Sequence, residues 1–401
     1  MPIAPFKLFV ASSLLALTGL AGCQNQGSHQ TSKQAAASRY TQFRSGFKLK
    51  TAQQQFDTGD LDQSEKTLAD AIIHDPDNGH LHLLAGRIAL ERGQLERANQ
   101  RLDRAIQLEP ALAEAHYFQG IVLQRWKQFD KAHQAYNKAF ELKSDNVGFL
   151  LAVSEMLVAL GRTDQALAML ESKIQVFDQS GGIRVAAGHV CVLKKDYTKA
   201  IDYLHQASLL LPDDNKVLED LAMARLAAGK FADAIPDLQR VVAAMSVERR
   251  ADLLHLLGRA QLGAGRRDDA RATFIDITRQ DREDVNAWVR LGEISLEAGD
   301  FNAALTAANR VIALTNNRPE GYMIAGIAFQ KRKETDKALS SFDRAAQLSP
   351  NDSEPLIMRG LTLEQAGRFE AAAAAYAEAQ RRRPEDARAR KLLVQVEEKS
   401  R

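Results

Sequence analysis

The sequence lacks the signatures of catalysis. No phosphate-binding glycine loop is present, because Ala224 stands where the pair Gly229-Lys230 would need its leading glycine. There is no Gly-x-Ser-x-Gly elbow and no zinc-type cysteine pair. Cysteine is nearly absent: Cys23 and Cys191 leave room for one disulfide at most. Neither sign of charge dominates, with 53 basic against 51 acidic residues and a net charge of +2. A nucleic-acid surface would concentrate basic charge, so no nucleic-acid partner is expected. No alternating strand pattern appears, and no apolar run is long enough to span a bilayer as a permanent helix. The nine histidines are scattered. His82 and His116 share a place in the pattern described below, but equivalent points on packed helices lie about 8–10 Å or more apart. A shared metal would need each ligand near about 2 Å. The sequence therefore offers no catalytic residue, no metal ligand and no cofactor.

What it does contain is a repeat. In a 34-residue frame starting at Ser45, position 8 is small ten times in succession: Ala52, Gly86, Gly120, Ser154, Gly188, Ala222, Gly258, Gly292, Gly326 and Gly360. Position 20 is Ser64 and then alanine nine times, from Ala98 to Ala372. Position 15 is glycine in seven repeats and lysine in three, at Lys127, Lys195 and Lys333. A glycine there can take the left-handed conformation that ends one helix and reverses the chain. Position 32 is proline in five repeats, where a second helix must stop. Position 27 is alanine in six. Two amphipathic helical patterns run between these marks in every repeat. The small residues at positions 8, 20 and 27 let those two helices approach closely.

This pattern resembles the tetratricopeptide repeat family over residues 45–386. The resemblance implies an all-α fold: a right-handed α-solenoid of about ten helix-turn-helix repeats. The bulky fourth position of the family pattern is Trp288 and Tyr322 here but His82 and His116 elsewhere, a departure that is expected to weaken individual repeats. The frame slips by two residues between Ser246 and Ala251, and Pro236 lies inside the preceding second helix. The expected division is six repeats over 45–250 and four over 251–386, with an irregular, hinge-like step between them. Residues 387–401 read as a capping helix, with Leu392, Leu393 and Val396 on one side.

Residues 1–22 stand apart from the repeats. Lys7 precedes an apolar run from Leu8 to Leu20, which has signal-peptide proportions. The tetrad Leu20-Ala21-Gly22-Cys23 resembles the bacterial lipobox, in which the cysteine becomes the lipidated first residue. The alternative is an ordinary signal peptide with an incidental cysteine. In that family an aspartate after the cysteine retains the protein at the inner membrane, and Gln24 stands there instead. The resemblance implies an outer-membrane lipoprotein of a bacterial envelope, with the array facing the periplasm and the membrane held through lipid on Cys23. Residues 23–44 read as the lipidated cysteine and a flexible tether, because Gln24 to about Ser38 holds almost no apolar residue. With Cys23 acylated, Cys191 has no intramolecular partner and is expected as a buried thiol.

In the family, positions 2, 5, 9 and 12 of the first helices line a concave groove that receives protein partners. In repeats two to six these positions supply an apolar set: Leu83, Leu90, Tyr117, Ile121, Leu151, Val158, Val185, Val192, Met223 and Leu226, with His189 among them. Arg87, Glu114, Glu155 and Glu219 interrupt it. An apolar strip with a charged rim suits an amphipathic helix or an extended apolar segment. The other reading is that curvature buries part of the strip against itself. No repeat carries the lysine at position 5 and asparagine at position 9 with which chaperone-type members clamp a carboxylate. The basic run Arg381-Arg382-Arg383 with Arg388, Arg390 and Lys391 is either a solvated helix end or a contact for anionic polymer or lipid.

Lipobox and repeats together resemble the pilotin and tight-adherence pilus assembly lipoproteins. That implies a non-enzymatic protein–protein scaffold assisting a pilus or secretion system. An adaptor for exopolysaccharide export or cell-wall enzymes is the alternative.

Overall fold

A computed structural model describes residues 26–244 and 247–400. Within them the chain is helical throughout, with 21 helices and no strand, which is the architecture of a tetratricopeptide-type α-solenoid. The chain forms two compact units, one ending at Arg162 and the other starting at Thr163. The first unit holds α1 (Gln26–Asp57), α2 (Leu61–His74), α3 (Gly79–Glu91), α4 (Leu95–Leu108), α5 (Ala113–Arg125), α6 (Phe129–Leu142) and α7 (Val147–Ala159). The second begins with α8 (Thr163–Ile174), α9 (Gly181–Leu193), α10 (Tyr197–Leu210), α11 (Asn215–Ala227), α12 (Phe231–Ala244), α13 (Val247–Gly263) and α14 (Arg267–Gln280). It ends with α15 (Val285–Glu297), α16 (Phe301–Leu314), α17 (Pro319–Lys331), α18 (Thr335–Leu348), α19 (Glu354–Gln365), α20 (Phe369–Arg382) and α21 (Ala387–Ser400).

Local chemistry places these ends. Asn78, Asn146, Ser180, Asp214 and Asp284 stand just before first helices, and each side chain accepts a hydrogen bond from the first-turn backbone. Such caps stabilise a helix by about 1 kcal/mol. At position 15 all ten residues have positive φ, the seven glycines between 71° and 81° and Lys127, Lys195 and Lys333 between 59° and 63°. The turn column is thus one backbone conformation, which lysine adopts under strain. Lys333→Gly should therefore stabilise the protein, by roughly 0.5–1 kcal/mol once the greater freedom of unfolded glycine is deducted. Urea unfolding reads this directly, and a lowered midpoint would contradict the strain.

The core is built by size matching inside each repeat. A Cβ added at Gly120 would lie 2.6 Å from the Tyr136 ring, at Gly258 2.6 Å from Phe274, at Gly326 2.5 Å from Phe342 and at Gly360 2.4 Å from Tyr376. Position 8 therefore receives the side chain at position 24. Gly86 and Gly188 face Leu102 and Leu204 in the same way. Where position 8 carries a side chain, as at Ala52, Ser154 and Ala222, position 24 is leucine: Leu68, Leu170 and Leu238. In repeat eight, position 24 is only Ala308, and the space over Gly292 is filled by Ile324 of the next repeat.

At position 4, three side chains share one kind of hydrogen bond. Trp288 Nε1 donates to the Arg282 carbonyl at 3.0 Å, while His82 and His116 each place Nε2 against the carbonyls of Pro76 and Pro110 at 2.8 and 3.0 Å. Histidine at these two positions thus keeps the hydrogen bond that tryptophan makes at Trp288. Burial pulls the His82 imidazole below its ordinary range, so its neutral form donates from Nε2.

Two features differ from expectation. First, residues 26–44 are helical as the start of α1, where a flexible tether was expected. This segment has no proline and includes Ala35-Ala36-Ala37, so the shortage of apolar residues up to Ser38 does not preclude a helix. Second, the chain divides at Arg162–Thr163, and the 246–251 joint lies inside the second unit. Val241 and Val242 of α12 share a core with Leu253 and Leu254 of α13. The two-residue slip is accommodated by a longer first helix, α13, of 17 residues. Met245 and Ser246 lie outside the described residues, as do residues 1–25 with the signal segment and Cys23. Pro236 sits within α12, as the sequence places it, and Arg225 of α11 donates to the Asp233 carbonyl at 3.0 Å beside the interrupted ladder. At the C-terminal end α21 packs on α20, burying Ala389 and Val396 with Leu392 and Leu393 partly covered.

Candidate protein-binding faces

Each unit presents a face made by its first helices. In the first unit, Tyr117 of α5 is half-buried in an aromatic cluster. Its ring stacks on Phe149 at 4.9 Å between centroids, meets Phe118 edge-on at 5.4 Å and lies 5.4 Å from Tyr136. Ile121, Leu151 and Val158 are likewise half-exposed along α5 and α7. A polar chain runs beside them: Tyr136 Oη donates to Gln124 Oε1 at 2.7 Å, and Gln124 Nε2 donates to Glu155 at 2.9 Å. Burial, with the nearby Glu155 charge, raises the Tyr117 phenol above its usual range, so it stays neutral.

Arg87 of α3 is the group that sequence reasoning undervalued. Its guanidinium lies 4.6 Å from the Phe56 ring centroid and 5.1 Å from that of Phe118, and it donates to Gln53 at 3.2 Å. Its Nε is buried without a hydrogen-bond partner, and burial lowers its pKa. In the sequence Arg87 interrupts the apolar strip; in the structure the arginine is sandwiched into it. The signal was an arginine one repeat from Gln53 and flanked by phenylalanines on both neighbouring first helices.

In the second unit the face is formed by α9 and α11. Val185 and Val192 are half-exposed, and Met223 is 43% exposed. His189 is exposed and its Nε2 lies 2.8 Å from Asp220 Oδ2. Lys216 reaches Asp220 at 3.1 Å and Glu219 at 3.4 Å. Burial alone would raise the Asp220 carboxyl; the hydrogen bonds from His189 and Lys216 outweigh it and hold that carboxyl below the usual range. An apolar patch centred on a flexible thioether, edged by fixed charges, can accept apolar side chains of differing shape.

Three of the expected groove residues, Leu83, Leu90 and Leu226, are core. Leu83 is buried with Ala115 and Val122 of α5, and Leu226 is buried with Leu254 and Leu257 of α13. Their positions fall between consecutive first helices, which is the burial by neighbouring helices that the alternative reading anticipated. Cys191 is a free, fully buried thiol on α9, and burial pushes its pKa up. The arginines of the basic run are paired within the fold: Arg381 and Arg382 donate to Glu378, Arg388 to Glu354, Arg390 to the Pro384 carbonyl, and Arg383 pairs with Glu385.

Paired helices in a fixed 34-residue frame, with an apolar first-helix face and no strand among the described residues, define a helical-repeat binding array. Family models described as tetratricopeptide repeat match residues 55–120, 113–146, 255–319, 296–353 and 330–396, which together span more than half of the chain. The chain belongs to the tetratricopeptide repeat family, whose members generally mediate protein–protein interactions. Among solved structures, a tetratricopeptide repeat protein from Parabacteroides merdae is 18% identical, with 59% of this chain and 93% of that one covered at a TM-score of 0.45. MamA from Desulfovibrio magneticus is 19% identical, with 44% and 98% covered at a TM-score of 0.40. No curated protein matches the chain.

Proposed function

We propose that the chain is a non-enzymatic scaffold of the bacterial envelope. In this reading an acyl chain on Cys23 holds it at the outer membrane, and the array faces the periplasm. Its first-helix faces grip an apolar segment of a protein partner during assembly of a machine such as a pilus or secretion system. The observation that carries the binding reading is Met223. A large apolar side chain 43% exposed, on the helix that Asp220 joins to His189 of α9 with its half-exposed Val185 and Val192, is surface kept apolar without serving the core. The lipobox-like tetrad Leu20-Ala21-Gly22-Cys23 and the following Gln24 support the address.

Affinity capture from envelope extracts tests the binding half, with wild-type protein compared against charge substitutions on the α9–α11 face. Fractionation tests the address: Cys23→Ser should leave an unprocessed precursor or move the protein into the soluble periplasm. Unchanged sedimentation with outer-membrane vesicles would contradict the anchor without touching the binding face.

A further inference from the structure

The first 56 residues contain no aspartate or glutamate; Asp57 is the first acid of the chain. The same stretch holds Lys7, Lys33, Arg39, Arg44, Lys48 and Lys50, leaving 47 basic against 51 acidic residues in the remainder. Helix α1 occupies the last part of this stretch. On it Tyr40, Phe43 and Phe47 are 67%, 77% and 69% exposed. No other helix among the described residues exposes three large apolar side chains; elsewhere they occur singly, as at Ile73, Leu193 and Leu209.

Spacing puts the three rings together. At about 100° per residue, positions 40, 43 and 47 fall within roughly 60° of arc. The residues that fix α1 to the fold lie on the opposite side. Ser45 donates to Asp75 at 2.6 Å, Ala52 is fully buried, and Leu49 and Phe56 pack on the core of α2 and α3. The aromatic arc therefore points away from everything α1 packs on. Exposed Arg39, Arg44 and Lys50 flank it, while Lys48 turns aside to pair with Asp70.

We propose that this face of α1 lies on the surface of an anionic lipid bilayer. Aromatic rings between cationic side chains suit the headgroup region, where the rings enter the acyl boundary and the cations meet lipid phosphates. The absence of any acid through residue 56 removes the repulsion such a surface would otherwise impose. A second copy of the chain is the poorer occupant, because a two-fold contact would set Arg39, Arg44 and Lys50 against their counterparts. No helix among the described residues is long and apolar enough to cross a membrane, so α1 would lie along the surface. This contact goes beyond the acyl anchor and does not require it.

The test uses the full chain carrying Cys23→Ser and Cys191→Ala, so that acylation plays no part. A polarity-sensitive fluorophore is attached at Phe47→Cys or, on the other side of the same helix, at exposed Gln42→Cys. With phosphatidylglycerol-containing vesicles the probe at 47 should shift to the blue and the probe at 42 should not. That difference separates docking of the face from mere tethering through the apolar run at Leu8–Leu20. Pure phosphatidylcholine vesicles, or Arg44→Glu with Lys50→Glu, should weaken the response at least about tenfold. Equal responses at 42 and 47, or none at either, would overturn the proposal. So would a shift at 47 that grows with protein concentration in the absence of lipid, which would assign the face to self-association.

Discussion

Gly326→Ala is expected to destabilise the C-terminal repeats by about 1–3 kcal/mol, although it adds one methyl group. The new Cβ would sit 2.5 Å from Cε1 and 2.7 Å from Cδ1 of Phe342, whose side chain is fully buried. A ring cannot bend away from such a contact, and the surrounding core is closed. Phe342→Leu alone should also destabilise, by roughly 1–2 kcal/mol, because it removes ring volume from a closed core. The double variant should recover much of the loss, since alanine facing leucine is the combination already used by Ala52 with Leu68 and Ala222 with Leu238. The expected signature in urea unfolding is a coupling of about 1 kcal/mol or more in favour of the pair. Strictly additive single effects would show that positions 8 and 24 are not matched for size.

That matching shows how much the sequence could reveal. The small column at position 8 and the glycine or lysine turn at position 15 were legible because they repeat in one residue class; all ten turn residues have positive φ. Position 24 was not, because leucine, phenylalanine, tyrosine and alanine alternate there and look like ordinary core. Their order acquires meaning only when each is set against the residue it covers. The same limit applied to the binding face. A helical spacing assigns Leu83, Leu226 and Met223 to one side, but only the packing of consecutive first helices shows that the leucines are enclosed while the methionine is exposed. Residues 26–44 illustrate the reverse error: low apolarity up to Ser38 suggests irregular backbone, yet the backbone there is helical.

Glutamate at the α9–α11 face should have the largest functional effect. Val185→Glu with Met223→Glu is expected to weaken partner capture by about a hundredfold or more, because two carboxylates would have to be desolvated against an apolar segment. Both side chains are partly or largely exposed, so helicity and the unfolding midpoint should stay close to wild type. Ala200→Leu, at a fully buried small position of α10, is the contrasting variant and should damage stability and capture together. Wild-type capture by the double glutamate variant would remove this face from the account.

The claim that a partner is gripped by first-helix faces is tested most directly by site-specific photocrosslinking in the intact envelope. A photoreactive residue at Val185 or Met223 should give a crosslink to one and the same protein. The same residue at Leu209, which is 69% exposed on the second helix α10, should give none. A partner crosslinked from Leu209 and from neither first-helix position would contradict the account.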